Sequence, residues 1–468
     1  MKRHLLLLIG VSAATALSAC ASVGEVETPS APAAYAGEGR EGAAWPLEAQ
    51  PGWLPGLGSP VLTQYVAEAL TANPSLRAAA ARAAAAEARS GIIGGRRWPS
   101  LDFSVGGTRT EAPDLTGAMA TTDLLNAGST ASWEVDLWGR LAAASEASDL
   151  DAAASAADAR NAALSVTGQT ARAYIDLVAA EERLALAEED LATRERALAI
   201  TVRRYEQGIL SALSLRTARS QTASARAGQA AAADALLIAS RRLQVLLGRY
   251  PDGGLRAGDS LPALGALEAA GTPEALLQRP DVVAAQARLL AAGFRLEEAR
   301  DALRPRLTLT GRASGDGGQF ADALDGDQIV RQLIGGLAAP IFQGGALRAE
   351  VLVNEAEQEA AAAQYVETVL GAWQEVEAAL TADVALAVQE AEFANAAAEA
   401  REAQDLAERE YTRGVATIFE LIDAYSRRID AERALIGARN ERLSNRISFY
   451  IALGLDGLGD TPAEEAGQ

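Results

Sequence analysis

Arg204-Tyr205-Glu206-Gln207-Gly208 and Glu410-Tyr411-Thr412-Arg413-Gly414 each interrupt a long stretch free of proline. Tyr205 and Tyr411 are 206 residues apart, and so are Gly208 and Gly414. The same offset carries Glu68-Ala69-Leu70 onto Glu274-Ala275-Leu276, Pro74 onto Pro280 and Pro99 onto Pro305. It also carries Gly139 onto Gly345, Leu215 onto Leu421 and Gly248 onto Gly454. One constant shift at glycine and proline, from end to end, means a single structural unit written twice. The units span 61–248 and 273–454, with a connection at 249–272 and a tail at 455–468.

Each unit has the same grammar. A helix (Pro74 to Arg97; Pro280 to Leu303) runs up to a proline, and a short strand follows. Leu101, Phe103 and Val105 alternate there with Asp102, Ser104 and Gly106, and Leu307 and Leu309 with Thr308 and Thr310. A loop rich in Gly and Asp intervenes at 111–128 and 315–327, and a second strand comes next. In it Trp133, Val135 and Leu137 alternate with Ser132, Glu134 and Asp136, while the counterpart at 329–341 alternates less cleanly.

The remainder of each unit predicts helix of unusual length. No proline occurs between Pro113 and Pro251 or between Pro340 and Pro462. Leu177, Leu184, Leu191 and Leu198 are spaced by seven, as are Ile422, Ile429, Ile436 and Leu443. That repeat, in an alanine-rich background, signals antiparallel coiled-coil packing. A helix from Gly139 to Tyr205 would reach roughly 100 Å, where globular helices average about 12 residues.

Composition narrows the function classes. The only lysine is Lys2, the only histidine His4 and the only cysteine Cys20. Residues 1–19 have a basic start, an apolar middle and the ending Leu17-Ser18-Ala19-Cys20, which reads as a lipoprotein signal peptide with Cys20 acylated. Ala21 after that cysteine points to the outer membrane. Residues 20–60, with Pro29, Pro32, Pro46, Pro51 and Pro55, read as an extended tether from the lipid. Beyond Cys20 the chain would then lack imidazole, lysine amine and thiol. That excludes most acid–base, Schiff-base and P-loop chemistry and the common zinc sites. Carboxylate-pair or carboxylate-metal chemistry survives this exclusion, but no cluster in the sequence supports it, so no catalytic residue, metal or cofactor is expected. Losing Lys2 and Arg3 takes the formal charge from −20 to about −22, which argues against a nucleic-acid partner. No apolar run after Cys20 is long enough for a transmembrane helix, so any crossing must be made by strands. Four strands cannot close a membrane barrel, because about eight is the minimum, so copies must share one.

With these features in hand, the chain resembles the TolC-like outer-membrane efflux proteins, in the lipoprotein branch that serves resistance-nodulation-division (RND) pumps. The carriers are Gln278-Arg279-Pro280-Asp281-Val282, Pro340-Ile341-Phe342-Gln343-Gly344-Gly345 and the paired turns quoted above. The resemblance implies a mixed α/β, mostly α-helical membrane protein with four transmembrane strands per chain. Three copies would form a homotrimer with a 12-stranded barrel in outer-membrane lipid, and the helices a periplasmic tunnel. It also implies a periplasmic adaptor at the tunnel tips and an RND pump in the inner membrane, with no chemistry performed by the duct.

The same resemblance assigns candidate residues. Tyr205, Gly208, Tyr411 and Gly414 mark the turns where the adaptor would dock. Phe419 and Asp423, four apart on one helix face, supply an apolar and an acidic ring that narrow the tunnel; the family's usual residue at the apolar position is Leu. Glu134 and Asp136, read as mid-strand acids, should face the barrel lumen, because facing lipid is costly. Trp98, Trp133 and Trp138 lie near strand ends, where an aromatic girdle would sit. Two alternatives stay open: a duct for type I protein secretion, and a non-conducting structural coiled-coil lipoprotein. The latter leaves four amphipathic strands without a purpose.

Overall fold

A computed structural model describes residues 52–458, apart from 114–116, 266, 268–272, 318, 320–322, 324, 326 and 328. Cys20, the leader and most of the tether lie outside the described residues, as does the tail beyond 458. The helices are α1 (Pro60–Ala72), α2 (Pro74–Gly95), α3 (Arg140–Glu206), α4 (Ala212–Leu246), α5 (Pro280–Asp301), α6 (Ala346–Arg413) and α7 (Ile418–Ala452). The strands are β1 (Ser100–Pro113), β2 (Met119–Val135), β3 (Arg306–Gly317) and β4 (Val330–Ala338). The repeat is visible in the element bounds. The starts of α2, β1, α3 and α4 recur 206 residues later as the starts of α5, β3, α6 and α7. No described helix is long and apolar enough to cross a membrane.

Two expectations need correction. The predicted loop at 111–128 is mostly strand, because β1 and β2 pair in register as far as Pro113 and Met119. Threonines at 108, 110, 121 and 122 suit that ladder, and the turn residues between them are few. In the second half, β4 stops at Ala338, since Pro340 lacks an amide to donate to a ladder.

The chain divides into two compact units, through both of which α3 and α6 run. The first comprises Ala83–Ser155 and Ala284–Val366. It contains one antiparallel sheet in the order β1-β2-β3-β4, with neither edge paired among the described residues. In the helices of this unit Ala143, Ala147, Ala284 and Ala291 are buried, side chains small enough to permit close helix packing. Arg295 pairs with Asp151, and Arg300 with Glu355 at 2.9 Å.

The second unit contains Ala156–Val283, Glu367 onward and the residues up to Arg82. Ser59 caps α1 by accepting from the Leu62 amide, and Asn73 both ends α1 and caps α2 through the Ser75 amide. The core gathers Leu54, Leu62, Val66, Ile175, Leu177, Leu243 and Ile447. Trp53 stacks on Tyr450 with centroids 5.1 Å apart. The expected heptad stripe is only partly a core feature. Leu177, Ile429 and Leu443 are buried, while Leu184, Leu191, Leu198, Ile422 and Ile436 are half-buried. Buried alanines and arginine–carboxylate pairs fill the intervening layers, among them Arg194–Asp190, Arg428–Glu432 and Arg446–Asp383.

Inter-repeat residues 251–265 belong to the second unit and lie along α3. The Glu181 carboxylate accepts from the amides of Ala257 and Gly258, and Glu182 from that of Leu261. A chain without regular structure thus satisfies its backbone donors on helix carboxylates.

Candidate functional site

The paired turns are built alike and packed differently. Gly208 and Gly414 adopt φ of 74° and 79°, the left-handed conformation that ends a helix at low cost in glycine. The amides of Gly208 and Ile209 return to the carbonyls of Tyr205 and Arg204, both at 2.9 Å. Those of Gly414 and Val415 return likewise to Tyr411 and Glu410. Each returning helix then starts with a side-chain cap. Ser211 accepts from the Ser214 amide. Thr417 and Glu420 form a reciprocal capping box, with the Thr417 amide donating to Glu420 at 2.6 Å. Those bonds hold the Glu420 carboxyl below its usual range.

Tyr205 and Tyr411 occupy equivalent positions but not equivalent surroundings. Tyr205 is 41% exposed and Tyr411 2%. Tyr411 marks its turn as expected of the sequence, but its side chain is buried, so as a docking residue it offers no surface of its own. Its hydroxyl meets Thr201 at 3.0 Å, and its ring packs with Ile418, Leu421 and Tyr425. Burial pushes the Tyr425 hydroxyl up, with the Glu408 carboxylate adding to the shift. The exposed apolar residues near the turns are Ile209, Leu213, Val415 and Phe419, together with Tyr205. Sequence reading missed Arg204, whose guanidinium reaches from the end of α3 to the carbonyls of Tyr411 and Thr412.

Phe419 and Asp423 lie within the first two turns of α7, both on its exposed side. Asp423 accepts from Arg427 at 2.7 Å, in an exposed i,i+4 pair that raises the arginine pKa. Leu213 and Thr217, the first-half equivalents, carry no acid. Asp423 therefore has no acidic counterpart at the equivalent position of the first half.

In the first unit, register sorts the strand residues by face. Leu101, Phe103 and Val105 share a face with Trp133, Val135, Leu307, Leu309, Leu333 and Leu337. Most are exposed, Leu101 by 75% and Leu333 by 81%. Asp102, Ser104, Thr130, Glu134, Thr308 and Gln332 share the other. Glu134 is thus on the polar face, at the helix-proximal end of β2, where it accepts from Arg140 at 2.9 Å. Asp136 is not mid-strand. It lies just past β2 and accepts from the Ala142 amide at 2.8 Å, in the first turn of α3. A carboxylate there complements the positive end of the helix.

The three tryptophans stand at this strand-to-helix junction, with Trp98 76% exposed. Trp133 donates to the Arg97 carbonyl and Trp138 to that of Pro305.

The family described as "Outer membrane efflux protein" matches residues 65–249 and 272–455. The pyoverdine export outer membrane protein OpmQ of Pseudomonas putida is 30% identical over 88% of this chain and 89% of its own length. Outer membrane protein OprJ of Pseudomonas aeruginosa is 30% identical over 95% of both. The crystal structure of the open state of the Neisseria gonorrhoeae MtrE outer membrane channel matches with a TM-score of 0.82. It is 28% identical and spans 94% of this chain and 99% of that one.

Proposed function

The chain belongs to the outer membrane efflux protein family, and from that premise we propose that three copies close one barrel as the exit duct of a tripartite efflux system. The observation that carries this reading is the four-stranded sheet, apolar on one face through its helix-proximal part and with both edges unpaired among the described residues. In lipid, each unpaired backbone group costs several kcal/mol, so an open sheet must be closed by further strands. Three copies supply twelve strands, well above the minimum of about eight. The apolar face meets lipid and the polar face, including Glu134, lines the water.

The turns at Gly208 and Gly414 meet a periplasmic adaptor through Tyr205, Ile209 and Val415. The adaptor couples the duct to an RND pump in the inner membrane. Phe419 and Asp423 narrow the tunnel near those turns, where three copies place three carboxylates in a ring. Like charges at close quarters repel, so Arg427 beside each carboxylate tempers the ring. Cys20 carries the acyl chains that tether the N-terminus. The cargo is small molecules, as the names of relatives such as the pyoverdine export protein suggest.

The test combines mass and transport. The particle purified in detergent should have three chain masses and conduct ions in a planar bilayer. Deleting the gene should raise accumulation of the partner pump's drugs. A monomeric, non-conducting particle overturns the duct, and unchanged accumulation of every pump substrate overturns the efflux role.

A further inference from the structure

The chain carries a formal charge of −20, yet the polar face of its sheet is balanced. The strand charges on that face are Asp102, Glu134, Asp316, Arg306 and Arg312. Arg140, at the start of α3, pairs with Glu134 at 2.9 Å, so acids and bases cancel. In the three-copy barrel, which the present inference takes as given, this face lines the water.

Two of these charges stand level. Asp102 is in register with Thr130, Thr130 with Arg312, and Arg312 with Gln332. Asp102 and Arg312 are therefore on alternate strands, about 9.6 Å apart at ~4.8 Å per strand. Both are exposed, and neither joins an ion pair among the described residues. Their neighbours two residues away on the same strands are Ser100, Ser104, Thr310 and Ser314, all neutral. The nearest other strand charge on this face, Asp316, is about 13 Å from Arg312 along β3.

Three copies repeat the order Asp102, Thr130, Arg312, Gln332 around the wall, so carboxylates and guanidiniums alternate. That alternation does not depend on how the copies meet. Twelve strands tilted by ~40° enclose a wall about 24 Å across, and lining side chains leave roughly 12 Å of it open. The tilt offsets acids from bases by about 6 Å along the axis. Every solute in the lumen then passes within about 10 Å, a Debye length at 0.1 M salt, of both signs. A ring of one sign would admit the opposite charge and repel its own. An alternating belt gives each sign a near partner and favours neither.

We propose that Asp102 and Arg312 set the charge preference of the barrel, as a belt of alternating sign that passes anionic and cationic small molecules alike. Losing either residue makes the exit selective, in opposite directions.

Thr130 lies one strand from each and so reports their balance. In trimeric Thr130→Cys particles, the rates of modification by a cationic and an anionic methanethiosulfonate reagent give a ratio that reads the local potential. The thiolate fraction cancels in that ratio. Cys20 is the only native cysteine, and the unsubstituted particle supplies its background. With the belt intact, the cation-to-anion ratio should lie within about twofold of that for free cysteine. Arg312→Gln should raise it about fivefold and Asp102→Asn should lower it about fivefold, the effect of one uncompensated charge near the thiol. The two changes together should restore it. Gln332→Cys, on the other side of Arg312, is a second reporter whose ratio Arg312→Gln should also raise. Ratios that neither variant moves, or that both move in one direction, overturn the belt and leave the duct standing. So does a thiol at position 130 that neither reagent reaches in a conducting trimer. A particle of one chain mass overturns the barrel itself.

Discussion

Arg204 holds Tyr411 from two sides: Nη1 donates to the Tyr411 carbonyl at 3.0 Å, and Cζ lies 4.8 Å from the centre of the Tyr411 ring. Nη2 adds the Thr412 carbonyl at 2.9 Å. A cation thus occupies the C-terminal end of α6, where unsatisfied carbonyls favour it. Hydrogen bonds from a charged donor contribute about 1.5–3 kcal/mol and a partly buried cation–π contact about 1–2. Arg204→Ala should speed amide exchange at Gly414 and Val415 by roughly 30-fold, which corresponds to ~2 kcal/mol. Arg204→Lys should recover only part of that, because an ammonium cannot span two carbonyls as a planar fork does. Equal exchange in wild type and Arg204→Ala would show that the turn stands without it.

How much of this was legible beforehand varies with the kind of signal. The duplication was read from Gly and Pro because backbone geometry restricts which residues end helices, so the element starts reproduce the offset. Strand extent was misread at 111–128, where short polar residues look like loop. Those residues sit on a ladder whose cross-strand partners are not local in sequence. The contrast between Tyr205 and Tyr411 was illegible for the same reason. Equivalent residues in a repeat meet different neighbours, and Thr201 is 210 positions from Tyr411. The capping box Thr417-x-x-Glu420, by contrast, is a local pattern and could have been found.

Asp423 and Arg427 give the gate proposal a charge-resolved test. Asp423→Ala should raise single-channel conductance and Phe419→Ala should raise it further, because each removes a constricting ring. Arg427→Ala should instead increase cation selectivity, since the carboxylates lose their counter-charges. Conductance and selectivity unchanged in all three variants would remove Phe419 and Asp423 from the gate.

Tyr205 separates docking from folding, because it is exposed while its counterpart is core. Tyr205→Ala should weaken binding of the purified periplasmic adaptor by about tenfold, or ~1.4 kcal/mol, with melting behaviour unaltered. Tyr411→Ala should do the reverse in emphasis, destabilising the turn by about 3–5 kcal/mol as a large buried ring is lost. If Tyr205→Ala binds the adaptor as wild type does, the docking surface lies elsewhere on the turns.

The Ser59, Tyr174 and Asp259 side chains form a closed polar group at the inter-repeat connection. Ser59 donates to Asp259 at 2.8 Å, and the Tyr174 hydroxyl donates to the same carboxylate. Tyr174 and then Ser59 hold the Asp259 carboxyl below its ordinary range, so its contribution is complete at neutral pH. That contribution is lost as pH falls below about 4, through the depressed folded value. Burial and the neighbouring carboxylate push Tyr174 in the opposite direction, upward, so it stays a donor throughout. Tyr174→Phe should cost about 1.5–3 kcal/mol at pH 7 and less at pH 3, read by thermal unfolding at each pH. An equal loss at both values would mean that the ring packing matters and the bond to Asp259 does not.

Arg446 and Asp383 address why so many ion pairs sit between these helices. Their side chains are 5% and 9% exposed, and Nη2 reaches Oδ1 at 3.1 Å. The same nitrogen also reaches the Gly265 carbonyl at 3.3 Å, while the Arg446 Nε has no acceptor. An incompletely satisfied buried pair repays its desolvation poorly, so its value lies in opposing slippage of one helix past another. Asp383→Ala should cost about 3–5 kcal/mol, because it strands a buried cation. The double variant Asp383→Leu with Arg446→Met should recover most of that loss in thermal unfolding. If register is what the pair supplies, the double variant should still show lower single-channel uniformity, seen as several conductance levels where wild type has one. A double variant as unstable as Asp383→Ala would instead make the pair a net source of stability, and the register argument would fail.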